Sequence, residues 1–443
     1  MDSGDDHSDD EAPAFLDEDD VEEVIVDDTD IPMDDDDDDD EDEDDDNETK
    51  GNEAEQVQLV DDKSKAQITS HTDHVYAVAI HLDSITQVLS ILSGAGDDSA
   101  FLHKLIPGGM APQSILLPYK HTDSVSCVAF NLSYRDDNSP KLAAVGGYDG
   151  GIIIYDPDTG TKITQLEGPS DVEWLAWHPK GGTVLLVGSI ADGTIWMYHV
   201  PQKTCMQVFC GHEAGVTAGA FSPDGKWALS ASQDGSLRVW APRTGLCKHS
   251  FKTGNAGLTC MAIGGGVDGQ LILAGAEDGL AHLCHLGTKK VITSLKHFEV
   301  PIENTQDEME LPMSVEAVAF SLSHPNWCAT GGVDGVLKIW DLANDGHCRQ
   351  QCPIADAGGI TRIIWHPTVP LVFSSYSDGS IQLWDTRNGQ LLTRLTGHTD
   401  MINDLAVQFL DNNHAIVVTG SDDHTVRIFE VDIAAILQTP GLQ

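Results

Sequence analysis

The sequence predicts an all-β fold built from eight copies of one short unit. Each copy contains an Asp beside a turn residue, followed by alternating apolar residues, as in "QDGSLRVW" (233–240) and "SDGSIQLW" (377–384). Asp-Gly between alternating runs indicates a tight β-hairpin, because Gly adopts the positive φ that such turns require. No long helical pattern interrupts the copies, so strands are expected throughout.

The eight units follow one another at a nearly constant spacing of 52, 43, 42, 44, 56, 44 and 45 residues. Their aligned aspartates are Asp97, Asp149, Asp192, Asp234, Asp278, Asp334, Asp378 and Asp423. A second signature precedes several hairpins, as in "HTDSVSCVAF" from His121 and "HTDMINDLAV" from His398. Each unit therefore supplies about four short strands.

This period, with its Gly-His and Trp-Asp landmarks, resembles the WD40 family. The resemblance covers nearly all of residues 66–431 and implies a β-propeller in which eight copies give eight blades. Seven is the commoner number, so the count depends on the degenerate first, fifth and eighth units. His103 and Cys284 replace the terminal aromatic residue in the first and fifth.

A propeller must close, and the segment "AQITS" (66–70) resembles the outer strand of other units, such as "KITQLEG" (162–168). We expect residues 66–70 to complete the last blade. The predicted organisation is a tail over 1–65, the propeller over 66–431 and a C-terminal extension over 432–443.

The N-terminal tail carries most of the formal net charge of −48. Residues 1–62 contain 33 Asp and Glu against one base, Lys50, which gives −32, and thirteen consecutive carboxylates run from Asp34 to Asp46. So much charge with so few apolar residues predicts disorder. The surplus disfavours direct binding of nucleic acid, whose phosphates it repels, and favours a basic protein as partner.

Neither membrane association nor catalysis has a recognisable motif. The chain has no apolar run suited to a signal peptide or membrane span, so a location in the cytoplasm is expected, with the nucleus as an alternative. The protein is also expected to be a monomer. The nine cysteines form no C-x-x-C pair, and neither a metal nor a cofactor is predicted. P-loop, H-E-x-x-H and G-x-S-x-G patterns are missing, so no enzyme is predicted.

Histidine and aspartate recur together in several units, as in His121 with Asp149, His212 with Asp234, and His398 with Asp423. These pairs could act as acid–base groups. In WD40 propellers, which the chain resembles, such a pair forms a structural hydrogen-bond network inside each blade. Because catalysis needs one site rather than several, we favour the structural interpretation.

The loops that enter the inner strands share one rim of a propeller with the Asp-containing hairpins, and acidic or polar residues dominate these positions. Before the first branched apolar residue of an inner strand stand Asp73, Asp123, Asp171, Glu213 and Asp400. Just after that residue stand Tyr76, Glu173, Glu316 and Asn403, and beside the hairpin aspartates stand Tyr148, Glu277 and Asp422. None of these positions holds Lys or Arg, which predicts an acidic partner-binding face.

Glu173 and Glu316 carry the strongest signal, because the corresponding position is Thr in other units (Thr217, Thr259 and Thr361). The alternative is that surface acids are simply solvated. Trp174, the neighbour of Glu173, either packs in the core or offers an aromatic surface to an Arg or Lys side chain.

A closer resemblance starts from the third unit, "SDVEWLAWHPKGGTVLLVGSIADGTIWMYHVP" (170–201). With the acidic leader, "LWDTRNGQLL" and the "GHTD" opening of the last unit, it resembles the angio-associated migratory cell protein family. The fungal members of that family are dedicated assembly chaperones. They hold the basic N-terminal segment of a newly made, late-joining large-subunit ribosomal protein against the acidic face of an eight-bladed propeller.

The resemblance implies that Arg and Lys side chains of such a segment pair with Asp123, Glu173 and Glu316. Each charge-assisted pair would contribute about 1.5–3 kcal/mol. The tail is expected to speed capture without selecting the partner, since exposed charges are screened over about 8 Å. The long 286–313 connection is expected to add Asp307, Glu308 and Glu310 to the acidic surface. A histone or other basic-protein chaperone and a general WD40 scaffold or adaptor are the alternatives.

Overall fold

The computed structural model describes residues 61–83, 86–106, 111–131, 142–180, 183–298, 313–353 and 358–438. Within these residues the chain forms eight antiparallel sheets of four strands each. The tail predicted to be disordered and the acidic residues Asp307, Glu308 and Glu310 lie outside the described residues, apart from positions 61–65.

The sheets are the blades, numbered here from the first that is continuous in sequence. Blades one to four contain β2 (Val75–Leu82), β3 (Leu89–Ala95), β4 (Ala100–Leu105), β5 (Gln113–Leu116); β6 (Val125–Phe130), β7 (Ala143–Gly147), β8 (Ile152–Tyr155), β9 (Lys162–Leu166); β10 (Trp174–Trp177), β11 (Val184–Gly188), β12 (Ile195–His199), β13 (Thr204–Phe209); and β14 (Val216–Phe221), β15 (Ala228–Ser232), β16 (Ser236–Trp240), β17 (Cys247–Lys252).

Blades five to eight contain β18 (Leu258–Gly265), β19 (Leu271–Ala276), β20 (Leu280–His285), β21 (Lys290–Lys296); β22 (Val315–Phe320), β23 (Trp327–Gly332), β24 (Leu337–Asp341), β25 (His347–Cys352); β26 (Ile360–Trp365), β27 (Leu371–Tyr376), β28 (Ile381–Asp385), β29 (Gln390–Leu395); and β30 (Ile402–Phe409), β31 (His414–Ser421), β32 (Val426–Asp432) with β1 (Ala66–Ile68).

The first full-length strand of each blade is the inner strand, and each inner strand contacts the inner strand of the next blade until β30 contacts β2. This closed ring confirms the predicted fold class, an eight-bladed β-propeller. The degenerate first, fifth and eighth units are full blades. In the first, the unusual His103 is buried between the hydroxyls of Ser93 and Ser114.

Packing between blades supplies the hydrophobic core. Eight apolar clusters are present in the described residues, and each is shared by two adjacent blades. The middle strands therefore have both faces covered and read as continuous apolar runs, as in β8, where all four residues are buried. This is why some repeats, such as the second with "IIIY" (152–155), lack a clean alternation of polar and apolar residues in this strand.

Strand β1 pairs antiparallel with β32, placing Gln67 opposite Arg427, so that the eighth blade contains strands from both ends of the described chain. Contacts begin before β1: the Lys63 amide donates to the Thr396 carbonyl at 2.9 Å, and Asp62 forms an ion pair with the buried guanidinium of Arg427. Residues 61–65, assigned to the tail from sequence, thus contact blades seven and eight. A buried guanidinium requires a carboxylate partner, and Asp62 supplies it.

Helical structure is confined to short pieces among the described residues. A 3₁₀ turn covers Val200–Gln202, and α1 covers Ile433–Gln438, directly after β32. Ile433 is buried against the cluster between blades seven and eight. No helix of the described chain is long and apolar enough to cross a membrane.

Closure of the ring can be tested at Ile68, which is 5% exposed and packs between blades eight and one. We predict that Ile68→Ala lowers the free energy of unfolding by about 2–4 kcal/mol, because it opens a cavity at the seam. Ile163 on β9 is the matched control, since it also lies on an outer strand but is 46% exposed. Ile163→Ala should cost less than about 1 kcal/mol in the same denaturant titration. Equal losses would show that β1 is not a packed part of the ring.

Candidate functional site

Each inner strand bulges at one residue near the start of the strand. The pairing register shifts at this point in seven blades, between Val75 and Ala77 in β2 for example. In the third blade the Glu173 amide and Trp174 both face Gly188, which gives the same arrangement. We call the eight residues at this point the bulge ring: Tyr76, Ser126, Glu173, Thr217, Thr259, Glu316, Thr361 and Asn403.

Several members of the bulge ring tie adjacent blades together. The Thr217 hydroxyl donates to the Leu258 carbonyl of the next inner strand at 2.7 Å, and the Asn403 amide donates to the Val75 carbonyl at 3.1 Å. Ser126 and Thr259 donate in the same way to the carbonyls of Val172 and Val315. The usual residue at this position is therefore a hydrogen-bond donor that helps to hold the ring together.

Glu173 and Glu316 occupy two of these positions, and an ionised carboxylate cannot donate a hydrogen bond. In the third blade the missing bond comes from Trp174, whose indole Nε1 donates to the Val216 carbonyl at 3.0 Å. The Trp174 ring lies against Gly188 and Gly219, where an added Cβ would come about 2.0 Å from the ring. This packing between blades three and four favours the core interpretation of Trp174 and leaves the Glu173 carboxylate for other contacts.

The environment of Glu173 is partly buried and polar. The Tyr148 hydroxyl, on the hairpin of the second blade, donates to Glu173 Oε2 at 3.1 Å. Burial raises the pKa of Glu173; the Tyr148 hydrogen bond and Arg362 oppose the shift, and Asp171 adds to it. The Glu173 carboxylate is thus incompletely solvated, so an incoming cation would be a stronger partner for it than for an exposed acid.

Acidic groups from blades eight, one and two surround Tyr76. Burial raises the pKa of Tyr76, and Asp73, Asp422 and Asp123 raise it further. Burial also raises the pKa of Tyr148, and the nearby Glu173 and Tyr76 raise it further. The structure therefore brings Asp73, Asp123, Asp422, Tyr148 and Glu173 of the predicted face into one continuous patch.

Glu316 lies in the sixth blade, next to the inner strand of the fifth. Burial raises the pKa of the Cys260 thiol to about 11, and the Glu316 carboxylate contributes to that shift. Glu213 and Glu277 are exposed on the rim of blades four and five, and the Glu277 carboxylate faces Gly257. These residues continue the acidic surface on the other side of the ring.

Some predicted residues already have partners within the protein. Asp171 accepts hydrogen bonds from the Ser189 hydroxyl and from the Ile190 and Ala191 amides, and so it shapes a turn. Asn403 donates to Asp422 at 2.7 Å as well as to Val75. Asp171 therefore contributes less available charge to the face, and Asn403 fewer free hydrogen-bonding groups, than the sequence suggested.

Three aspartates at the rim share one simpler role. Asp73, Asp123 and Asp400 each accept a hydrogen bond through Oδ1 from the next residue's amide, at 2.7–2.8 Å. Each of them lies two residues before the first residue of an inner strand. Asp123 and Asp400 are exposed, which leaves them accessible to a partner.

An ion pair in the ring was missed from sequence. The Arg362 Nε donates to Asp404 Oδ1 at 2.9 Å, and Asp404 Oδ2 accepts from the Val78 amide at 2.9 Å. These contacts link inner strands β26, β30 and β2. The charge of Arg362 also lowers the pKa of Glu173, so the face is not purely acidic. Both residues stand one position beyond the bulge, where the side-chain alternation has changed phase.

The recurring His–Asp pairs form networks inside the blades. His212 Nδ1 lies 2.9 Å from Asp234, its Nε2 lies 2.7 Å from the Ser230 hydroxyl, and Trp240 Nε1 donates to that hydroxyl at 2.8 Å. Burial acts to raise the pKa of Asp234, but hydrogen bonds from Ser236, the Glu213 amide and His212 outweigh it and lower the pKa to about 2. Ser230 is fully buried, so it cannot reach a substrate as a nucleophile.

The same arrangement of His, Asp and a buried hydroxyl recurs in other blades, with the Ser or Thr at the same place in the second strand. The sets are His71, Asp97 and Ser93; His297, Asp334 and Thr330; and His398, Asp423 and Thr419. Repetition in several blades identifies these groups as part of the fold.

Comparisons with known proteins agree with this architecture. The pattern of the "WD domain, G-beta repeat" family matches residues 203–241, 311–341, 346–385 and 389–430. Among solved structures, Sqt1 from Saccharomyces cerevisiae is 18% identical with a TM-score of 0.69, covering 84% of this chain and 99% of Sqt1. The Chaetomium thermophilum Sqt1 bound to the N-terminus of ribosomal protein L10 is 22% identical with a TM-score of 0.67, covering 84% and 100%. The protein is thus a WD40 β-propeller.

The family within this class follows from sequence identity. The human angio-associated migratory cell protein is 35% identical over 373 residues, which cover 83% of this chain and 80% of that protein. The chain belongs to the angio-associated migratory cell protein family, as its third unit indicated.

The hydrogen bond between Tyr148 and Glu173 gives a direct test of the site's electrostatics. We predict that Tyr148→Phe raises the pKa of Glu173 further, because the hydroxyl stabilises the ionised carboxylate. A carboxyl with a raised pKa is protonated at a higher pH as the solution is acidified, so the variant should lose the charge of Glu173 at a higher pH than the wild type. NMR titration of labelled glutamate carboxyls measures both values, with Glu173→Gln assigning the signal. An unchanged or lowered pKa in Tyr148→Phe would contradict the assignment.

Proposed function

We propose that this protein is a dedicated chaperone in assembly of the large ribosomal subunit. It captures the basic N-terminal segment of a newly made large-subunit ribosomal protein on the acidic face around the bulge ring. In this role the protein would act as a non-enzymatic monomer in the cytoplasm, and it would bind protein rather than nucleic acid. The observation that carries it is the presence of Glu173 and Glu316 where the ring otherwise uses hydrogen-bond donors.

Those two glutamates are placed where a fold-stabilising residue would normally stand. A Thr or Ser there would hold adjacent blades together, and Glu gives up that bond. In the third blade Trp174 replaces the bond, at 3.0 Å from the Val216 carbonyl. A substitution that forgoes a structural contact and adds partly buried negative charge is best explained by a cationic partner.

The comparisons support the choice of partner. Sqt1, which has the same fold, was solved with the N-terminus of ribosomal protein L10 bound to it. We propose the corresponding basic segment as the ligand of this protein. Its Arg and Lys side chains would pair with Glu173 and Glu316 near the channel and with Asp123 and Asp400 at the rim.

Charge reversal at the two glutamates tests the site. We predict that Glu173→Lys with Glu316→Lys weakens binding of a synthetic basic N-terminal segment of L10 by at least about a hundredfold, because two attractions become repulsions. Asp268→Lys with Asp411→Lys is the control, since both residues lie in loops at the opposite ends of inner strands and the net charge change is the same. Isothermal titration calorimetry measures the affinities, and thermal unfolding verifies that both proteins fold.

Three outcomes of that experiment separate the functions. Loss of binding in the glutamate variant alone supports the proposed site. Equal loss in both variants would mean that net charge, rather than this face, attracts the segment. Tighter binding of core histones than of the L10 segment to the wild type would favour the histone-chaperone alternative.

The acidic tail gives a kinetic prediction. Deleting residues 1–60 removes 31 carboxylates against one lysine but leaves Asp61 and Asp62, which contact blades seven and eight. We predict that the association rate at low salt falls about tenfold while the dissociation rate stays the same, because the tail steers a cationic chain without docking it. The difference in rate should shrink as salt rises. A matching loss of affinity at high salt would show that the tail itself holds the segment.

A further inference from the structure

A cluster of metal-ligating side chains lies where blade eight meets blade one. Asp73 and His74 lie between β1 and β2, and His424 lies in the hairpin between β31 and β32. One donor atom from each of these three residues lies within 4.8 Å of the other two. The His74 and His424 rings stand 5.3 Å apart, centre to centre.

The backbone at His424 adopts a conformation that side chains avoid. Its φ is +64°, and six other blades place a glycine at the same point of the hairpin, at φ between +59° and +79°. Those glycines are Gly150, Gly193, Gly235, Gly279, Gly335 and Gly379. A histidine in the left-handed region is held at a cost in free energy, and such strain concentrates at functional positions.

A second carboxylate lies beside His74. Its Nδ1 lies 3.0 Å from Asp422 Oδ1, and the same oxygen accepts a hydrogen bond from Asn403 at 2.7 Å. The other ring nitrogen of His74, Nε2, lies 3.8 Å from Asp73 Oδ1. In metal sites a carboxylate commonly stands beside the ring nitrogen of a histidine that does not bind the ion.

We propose that Asp73, His74 and His424 bind a Zn²⁺ ion at this seam. Two imidazoles and one carboxylate suit Zn²⁺, which prefers nitrogen and oxygen ligands in a tetrahedral arrangement and accepts water as the fourth ligand. Mg²⁺ and Ca²⁺ prefer all-oxygen sites and would compete poorly. The site shares Asp73 with the acidic face, but the proposal does not rest on the proposed chaperone function.

The ion would join the two ends of the propeller. The segment that contains Asp73 and His74 connects the eighth blade to the first. His424 lies in the hairpin between β31 and β32 of the eighth blade. Binding of Zn²⁺ would therefore oppose opening of the ring at the eighth blade, where β1 and β32 are held together by strand pairing and not by a connecting loop. Ligand binding to the folded state alone raises its stability.

The test is a Zn²⁺ titration of the full chain, prepared without a histidine tag, in excess Mg²⁺ to occupy sites made only of carboxylates. We expect one tightly bound Zn²⁺ and a higher Tm in its presence. His424→Gly should weaken binding at least tenfold and abolish the rise in Tm, while restoring the glycine of the other blades and so preserving the fold. His74→Ala should also weaken binding at least tenfold.

The matched control is His414→Ala, because His414 is an exposed histidine beside a carboxylate, Asp411, at 3.0 Å. That variant should bind Zn²⁺ like the wild type. Wild-type affinity in His424→Gly, or the same loss in His414→Ala, would overturn the proposal. So would failure of the wild-type chain to bind Zn²⁺ in excess Mg²⁺.

Discussion

Burial between neighbouring blades is the constraint on which the rest of the structure depends. Every apolar cluster of the described residues is shared by two blades, so a single four-stranded sheet would expose the faces that it needs to bury. The ring must therefore close, and closure joins β1 to β32 with Ile68 and Val426 in the same cluster. Stability of each blade depends on its neighbours, as in other repeat architectures.

The same constraint creates the candidate site. Inner strands from eight blades converge, and a bulge in each turns one side chain towards the next blade, where hydroxyls and an amide fasten the ring. A β-bulge redirects side chains and is frequent beside functional sites. Glu173 and Glu316 use this geometry differently: their carboxylates stand at the convergence of the strands without a hydrogen to donate. The Tyr148 hydroxyl holds the Glu173 carboxylate in place among the packed inner strands.

Local signals made the fold predictable from sequence. Asp-Gly hairpins and the signatures after His71, His121 and His398 depend on residues close together in the chain, and they located the strands and the number of blades. The interpretation of the His–Asp pairs also rested on their repetition. The unusual residues at 173 and 316 stood out because equivalent positions in other repeats can be compared within one chain.

The remaining features depend on contacts between distant segments. Arg362 and Asp404 follow the bulge, which shifts the two-residue alternation, so a pattern of period two assigns them to the wrong face. The packing of Trp174 in the core depends on Gly188 and Gly219, which leave room for its ring and lie at other places in the sequence. Asp73 and His74 are far from His424 in the sequence, so no short spacing of metal-ligating residues reveals that the three lie together. Residues 61–65 (DDKSK) are all polar and give no strand signal, yet Asp62 contacts a buried arginine.

The proposed function requires that Glu173 and Glu316 receive cationic side chains of a basic segment at the convergence of the inner strands. A structure of the protein with the proposed segment bound, at a resolution that shows side chains, tests this most directly. We predict an Arg or Lys nitrogen within about 4 Å of a carboxylate oxygen of each glutamate. A segment bound at the opposite ends of the inner strands or along the outer strands, with both glutamates facing solvent, would contradict it.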